Sequence, residues 1–133
     1  MNFVLDASVT LSWAFEDERS QPALEVLERL RQDEAAVASL WPLEVTNGLM
    51  AAERRGRLTG ADASRFLHLV RLLPIVIDPV ARVRAFEGTR SLARTHRLTA
   101  YDAAYLELAV RRGIPLVTLD GELQAAAEAE GVG

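Results

Sequence analysis

The sequence predicts an α/β fold in which a short parallel sheet lies between helices on both faces. Two observations carry this. Apolar runs of four or five residues, near 2–5, 36–39, 74–77 and 115–119, have the length and composition of interior strands. Between them lie segments of ten or more residues whose apolar side chains recur at helical spacing. No linker, repeat or low-complexity stretch divides the 133 residues, so a single domain spanning 1–133 is expected.

Phe3 to Leu5 is the first buried strand and runs straight into Asp6. Val9 to Phe15 reads as a short apolar helix. In the stretch from Ser20 to Glu34, Leu24, Leu27 and Leu30 share one helical face. Ala36 to Ser39 is the second strand. Pro42 suits a first helical turn and opens a helix that closes near Gly56. Another helix starts near Thr59. Pro74 to Asp78 is the third strand, and after Pro79 a helix runs to about Thr95. Thr99 to Gly113 is a helix, Pro115 to Leu119 a strand, and a short helix follows Gly121. The closing Gly131-Val132-Gly133 is a candidate stub of a further edge strand, too short to assign.

Half of the residues are hydrophobic, enough for a real core. There is no cysteine, which excludes disulfides and thiolate metal sites and fits a reducing compartment. The chain opens on "MNFVLD" without a basic or long apolar leader, and no apolar run approaches the ~20 residues that span a bilayer. The expectation is a soluble, cytoplasmic protein. A net charge of −4 argues against a general nucleic-acid binder. All fifteen basic residues are arginine. Composition bias explains that most simply, although guanidinium forks also match phosphate geometry.

In open parallel sheets, ligands bind beyond the carboxyl ends of the strands. Asp6 follows the first strand, and Glu44 lies in the first turn of the helix after the second. Asp120 follows the last strand. Asp102 lies in the first turn of the helix before that strand, which reaches the same edge through the loop at 95–98. Each acid has a plain structural explanation. Asp6 suits a turn or cap, and Glu44 suits the positive end of a helix. "TAYD" at 99–102 matches a capping box, and "DG" at 120–121 is a common turn. Together they say more. Four carboxylates at one edge repel each other at neutral pH unless they are protonated or bound to cations. Hard oxygen donors suit Mg²⁺ or Mn²⁺, ions able to orient a phosphodiester and activate water.

"FVLDAS", "PLEVTNGL", "TAYDAAYLELAVRRGIPLVTLD" and "GELQAAAEAEGV" make the chain, over essentially its whole length, similar to PIN-domain proteins. It most resembles the VapC toxins of bacterial toxin–antitoxin pairs. The resemblance implies a three-layer α/β/α sandwich and hydrolysis of single-stranded RNA with Mg²⁺ or Mn²⁺, leaving a 5′-phosphate and a 3′-hydroxyl. Asp6, Glu44, Asp102 and Asp120 match the family's metal-binding acids. Ser8 matches a hydroxyl that orients the first Asp, and Thr118 one that positions water or metal. Asn47, one turn after Glu44, matches a common polar position. The resemblance also implies a homodimer and a VapB-like antitoxin whose tail covers the acids. The alternative is a catalytically silent PIN-like module that only binds protein or RNA.

"DASVT" at 6–10 also resembles the nucleophile loop of aspartyl-phosphate phosphatases and two-component receivers, but both normally use a Lys, and this chain has none. His68 and His96 are candidates for a metal-free acid–base pair, though lone helical and loop histidines are usually structural or exposed. Arg54, Arg55, Arg57, Arg94 and Arg97 are candidates for phosphate contact, set against the reading of solvated helix ends. Trp13 and Trp41 flank the first two acids and either stack bases or pack in the core. "VTLSWAF" and "SRFLHLVRLLP" suit a partner groove or dimer face as well as ordinary core.

Overall fold

The computed structural model describes residues 1–133. Four parallel strands form the sheet: β1 (Phe3–Leu5), β2 (Ala35–Ala38), β3 (Ile75–Asp78) and β4 (Leu116–Val117), in the order β3-β2-β1-β4. β1 and β2 are wholly buried, which is why their sequences are continuous apolar runs. The order places a topological switch at β1. From β1 the chain winds outward through β2 to β3, then returns to lay β4 on the other side. The crevice between β1 and β4 opens at their carboxyl ends, and Asp6 stands there.

Helix α1 (Ala7–Ser12) begins directly after Asp6 rather than at Val9, and gives way to a 3₁₀ turn at Glu16–Glu18. Helix α2 (Gln21–Arg29) is capped by Ser20. Ala23, Val26 and, just past its end, Leu30 are buried, and Leu24 faces solvent. The predicted leucine stripe is therefore rotated, because small Ala23 lets the helix sit close to the core.

Helix α3 (Trp41–Arg54) packs on α1, and α4 (Gly60–Arg71) packs on α3. Helices α5 (Arg82–Arg84) and α6 (Arg90–His96) are joined by a π turn at Ala85–Thr89. Helix α7 (Ala100–Arg112) lies across β1, β2 and β4, and α8 (Gly121–Ala129) packs on α7 and β4. Helices thus cover both faces of the sheet.

Two strand expectations shift. β4 holds only two residues, because Thr118 turns its hydroxyl toward Asp6 instead of continuing the ladder. No fifth strand forms at the C-terminus. A single bond from Leu116 N–H to the Val132 carbonyl ties the tail beside β4.

A half-buried ion network fixes the far end of α7 to the sheet. Asp78, 3 % exposed, ends β3 and accepts hydrogen bonds from Arg111 at 2.7 Å and Arg112 at 2.5 Å. Arg111 also donates to Glu107 at 2.8 Å. Burial alone raises the Asp78 carboxyl, but the two guanidinium groups outweigh it and hold the group below its usual value. The sign follows. Asp78 contributes stability that is fully present above its unfolded value and is lost as pH falls through the lower folded value. Asp78→Ala leaves Arg112 without a carboxylate partner and Arg111 with Glu107 alone, and is predicted to cost about 2 kcal/mol in denaturant unfolding at neutral pH. The difference from wild type should shrink in acid.

Candidate active site

Asp6 is 5 % exposed, yet it does not cap the helix that follows it. Its Oδ2 instead accepts two hydroxyl bonds, from Ser8 at 2.8 Å and Thr118 at 2.6 Å. Each hydroxyl has one proton and gives it to Asp6, so the 3.4 Å contact between Ser8 and Thr118 is a meeting of oxygens. Both hydroxyls also accept backbone bonds, Ser8 from Leu119 N–H and Thr118 from Asp120 N–H. The carboxylate is thereby locked through one oxygen, while Oδ1 accepts no hydrogen bond.

Glu44 lies in the first turn of α3. Its Oε1 accepts a 2.5 Å bond from the hydroxyl of Tyr105, which is fully buried on α7. Burial together with the neighbouring Glu44 charge pushes the phenol far above its usual value, so it stays a donor. Asp102 lies in the first turn of α7. Thr99 caps this helix by accepting from Asp102 N–H at 3.1 Å. The predicted reciprocal box is only half made. At α4 the box is complete, with Asp62 returning its carboxylate to Thr59 N–H. The Asp102 carboxylate makes no such return.

The electrostatics tie these acids together. Burial raises the Glu44 carboxyl; the Tyr105 bond opposes this, and the charges of Asp6 and Asp102 add to the rise. Burial also raises Asp102, followed by repulsion from Asp6, Asp120 and Glu122. Asp120 has two roles. It caps α8 by accepting from Glu122 and Leu123 N–H at 2.9 and 3.0 Å, and it borders Asp102.

Asp6, Glu44, Asp102 and Asp120 therefore meet at one edge, with Ser8 and Thr118 as supports. Asn47, one turn after Glu44, is exposed and makes no hydrogen bond to any of them. Tyr105 and Glu122 also belong to this neighbourhood, although the sequence pattern does not single them out. Tyr105 had a signal, since it lies three residues after Asp102 on one helical face. No three acids converge tightly enough to enclose an ion unaided. The donor set is all oxygen and anionic. That suits an ion such as Mg²⁺, which keeps several waters and takes only one or two carboxylates directly.

Other expected contacts resolve differently. Trp13 and Trp41 are both buried, donating to the Ala23 carbonyl and the Thr10 hydroxyl, so neither is free to stack a base. Arg57 bridges Asp17 and Glu18 and lies over the Phe15 ring. Arg54 and Arg55 sit at the opposite end of α3 from Glu44. His68 is exposed on α4, and His96 pairs with Glu130, so no histidine pair exists. The cavity of about 610 Å³ lined by Trp13, Phe15 and Phe66 lies elsewhere and includes none of the four acids.

The PIN domain family model matches residues 3–129. The chain belongs to the PIN-domain family. Ribonuclease VapC3 of Pyrobaculum aerophilum is 32 % identical over 123 residues, covering 92 % of each chain. Ribonuclease VapC9 of Mycobacterium tuberculosis is 33 % identical over 127 residues, 96 % of this chain and 92 % of that one. Among solved structures, PAE2754 from Pyrobaculum aerophilum superposes with a TM-score of 0.75 at 27 % identity, over 95 % of this chain and 84 % of that one. FitAcB from Neisseria gonorrhoeae, at 16 % identity and a TM-score of 0.66, shares the fold over 95 % of this chain and 93 % of that one.

In this PIN domain the raised Glu44 and Asp102 carboxyls have a consequence for stability. The folded state takes up their protons at higher pH than the unfolded state does. Stability of the metal-free protein should therefore rise as pH falls from neutral toward mildly acidic values. Asp102→Asn should raise the thermal midpoint at neutral pH in EDTA and flatten that pH dependence, as read by circular dichroism melts.

Proposed function

We propose that this chain is a Mg²⁺- or Mn²⁺-dependent endoribonuclease that cleaves single-stranded RNA and serves as the toxin of a toxin–antitoxin pair. The observation that carries this reading is the meeting of Asp6, Glu44 and Asp102 at the β1 edge of a PIN domain. Relatives named VapC ribonucleases support the class of reaction. Asp6 and Asp102 are the first-choice ligands, with Glu44 and Asp120 completing the acidic set.

When bound, a divalent ion supplies positive charge for the phosphodiester oxygens and lowers the pKa of a coordinated water. The chain's own groups prepare for that. Ser8 and Thr118 hold one Asp6 oxygen and leave the other available. Tyr105 does the same for Glu44, leaving Oε2 for the site. Asp120 uses Oδ1 to cap α8 and keeps its second oxygen. In the hydrolysis a water oxygen bonds to phosphorus and the bond to the 3′ oxygen breaks. The products are a 5′-phosphate and, once that oxygen takes a proton, a 3′-hydroxyl. No histidine and no 2′-hydroxyl attack are needed.

The same reading includes a single domain over 1–133, a cytoplasmic location, a homodimer and a VapB-like antitoxin. A protein partner of that kind finds apolar surface in the 610 Å³ groove. Trp13 and Phe15 line it from one segment, and Phe66, Leu69 and Val70 from another. These are the two segments whose sequence suits a partner groove. No helix is long and apolar enough to cross a membrane.

The test is cleavage of a mixed single-stranded RNA pool by antitoxin-free protein, in Mg²⁺ or Mn²⁺ and in EDTA. Cutting should need the metal, leave 5′-phosphate ends and vanish in Asp6→Asn. Thr118→Val, which removes only the hydroxyl, should cost about 10–100-fold in rate. EDTA-resistant cutting contradicts the metal mechanism. No cutting by folded protein, on this pool or on structured RNA, favours a silent binding module.

A further inference from the structure

The helical segment from Arg82 to His96 carries a charged surface outside the acidic site. With Arg97 it holds five arginines, Arg82, Arg84, Arg90, Arg94 and Arg97, against one acid, Glu87, in a chain whose net charge is −4. None of the five makes an ion pair, although Arg57, Arg111 and Arg112 elsewhere are tied to carboxylates. All five are exposed. Phe86 lies among them, 68 % exposed, in the π turn at Ala85–Thr89. That turn is held from below. A Cβ on Gly88 would stand 3.4 Å from the Glu107 side chain, which is locked to Arg111.

On the outer face a 400 Å³ groove is lined by Phe86, Glu87, Arg90, Ser91, Arg94 and Thr95. The groove lies on the segment that leads into the helix carrying Asp102. Helix α6 ends at His96, and Arg97, in the left-handed region with φ 55°, turns the chain into Thr99, the cap of the helix that carries Asp102. From Phe86 to Arg97 the rise is about 16 Å.

We propose that this face binds the single-stranded RNA flanking the scissile bond, with phosphates on Arg90 and Arg94 and a base stacked on Phe86. The proposal rests on the nuclease reading above and names the substrate path that reading leaves open. Unpaired guanidinium groups beside an exposed aromatic ring are the chemistry of a single-strand groove. Arginine and phenylalanine also suit a protein interface, but five unpaired arginines against a single acid make an excess of positive charge that favours a polyanion.

The test is fluorescence anisotropy of a labelled single-stranded RNA in EDTA, with metal-dependent cleavage measured in parallel. The variants are Arg90→Ala/Arg94→Ala, Phe86→Ala, and a control pair, Arg54→Ala/Arg55→Ala, on the far end of α3. The groove pair should bind at least tenfold more weakly. Its slope of log affinity against log salt should flatten by about 1.4, at ~0.7 for each phosphate no longer neutralised. Phe86→Ala should bind about fivefold more weakly or worse, and the control pair should change little. Equal weakening in both pairs overturns the proposal in favour of diffuse attraction. A change of oligomeric state in the groove variants, with RNA affinity intact, overturns it in favour of a protein-binding role. Wild-type protein that cuts RNA while the groove variants bind it normally defeats the groove alone. Wild-type protein that neither binds nor cuts RNA defeats both readings.

Discussion

Repulsion between the buried Asp6 and the half-buried Glu44 and Asp102 is the constraint around which this domain is built. Asp6, Glu44 and Asp102 are drawn together by three different elements, and burial makes the negative charges of Glu44 and Asp102 harder to keep. A chain selected for stability alone has no reason to collect them. The surrounding structure answers the repulsion with donors. Two hydroxyls and a buried phenol hold Asp6 and Glu44 in place, each through one oxygen. The topology supplies the location, because the switch at β1 opens a crevice where Asp6 emerges. Stability sacrificed at such a point is the usual mark of a working site.

The rest of the molecule can be read as the frame that holds these acids. Alanines at Ala35, Ala36 and Ala38 make β2 thin enough for close packing from the helices. Asp78, Arg111 and Arg112 anchor the far end of α7, so that its near end presents Asp102 at a fixed position. Trp13, just past α1, and Trp41, opening α3, each use the indole N–H to tie a helix end to a neighbouring segment.

Much of this was legible in the sequence. Short apolar runs alternating with longer helical segments pointed to the parallel sheet, since period and length are local properties. The acids were legible because strand ends and first helical turns are also local. What the sequence could not separate was which acid caps and which does not. Asp102 and Asp62 sit in similar Thr-x-x-Asp patterns, and only one completes its box. Leu24 faces solvent although it shares the leucine stripe, because helix rotation depends on the packing of Ala23, a long-range matter. Arg57 looked free for phosphate, but its partners, Asp17 and Glu18, lie far away in sequence. Tyr105 is harder to read, because in sequence a buried tyrosine looks like ordinary core, and only the fold brings its hydroxyl to Glu44.

We propose that these acids are assembled to be neutralised by a divalent cation. Titrating RNA-free protein with Mn²⁺ and following the free ion by electron paramagnetic resonance tests it most directly. Wild-type protein should sequester Mn²⁺, and folded Asp6→Asn should lose that binding. Wild-type protein that sequesters no Mn²⁺, or a variant that binds it as well as wild type, would contradict the account.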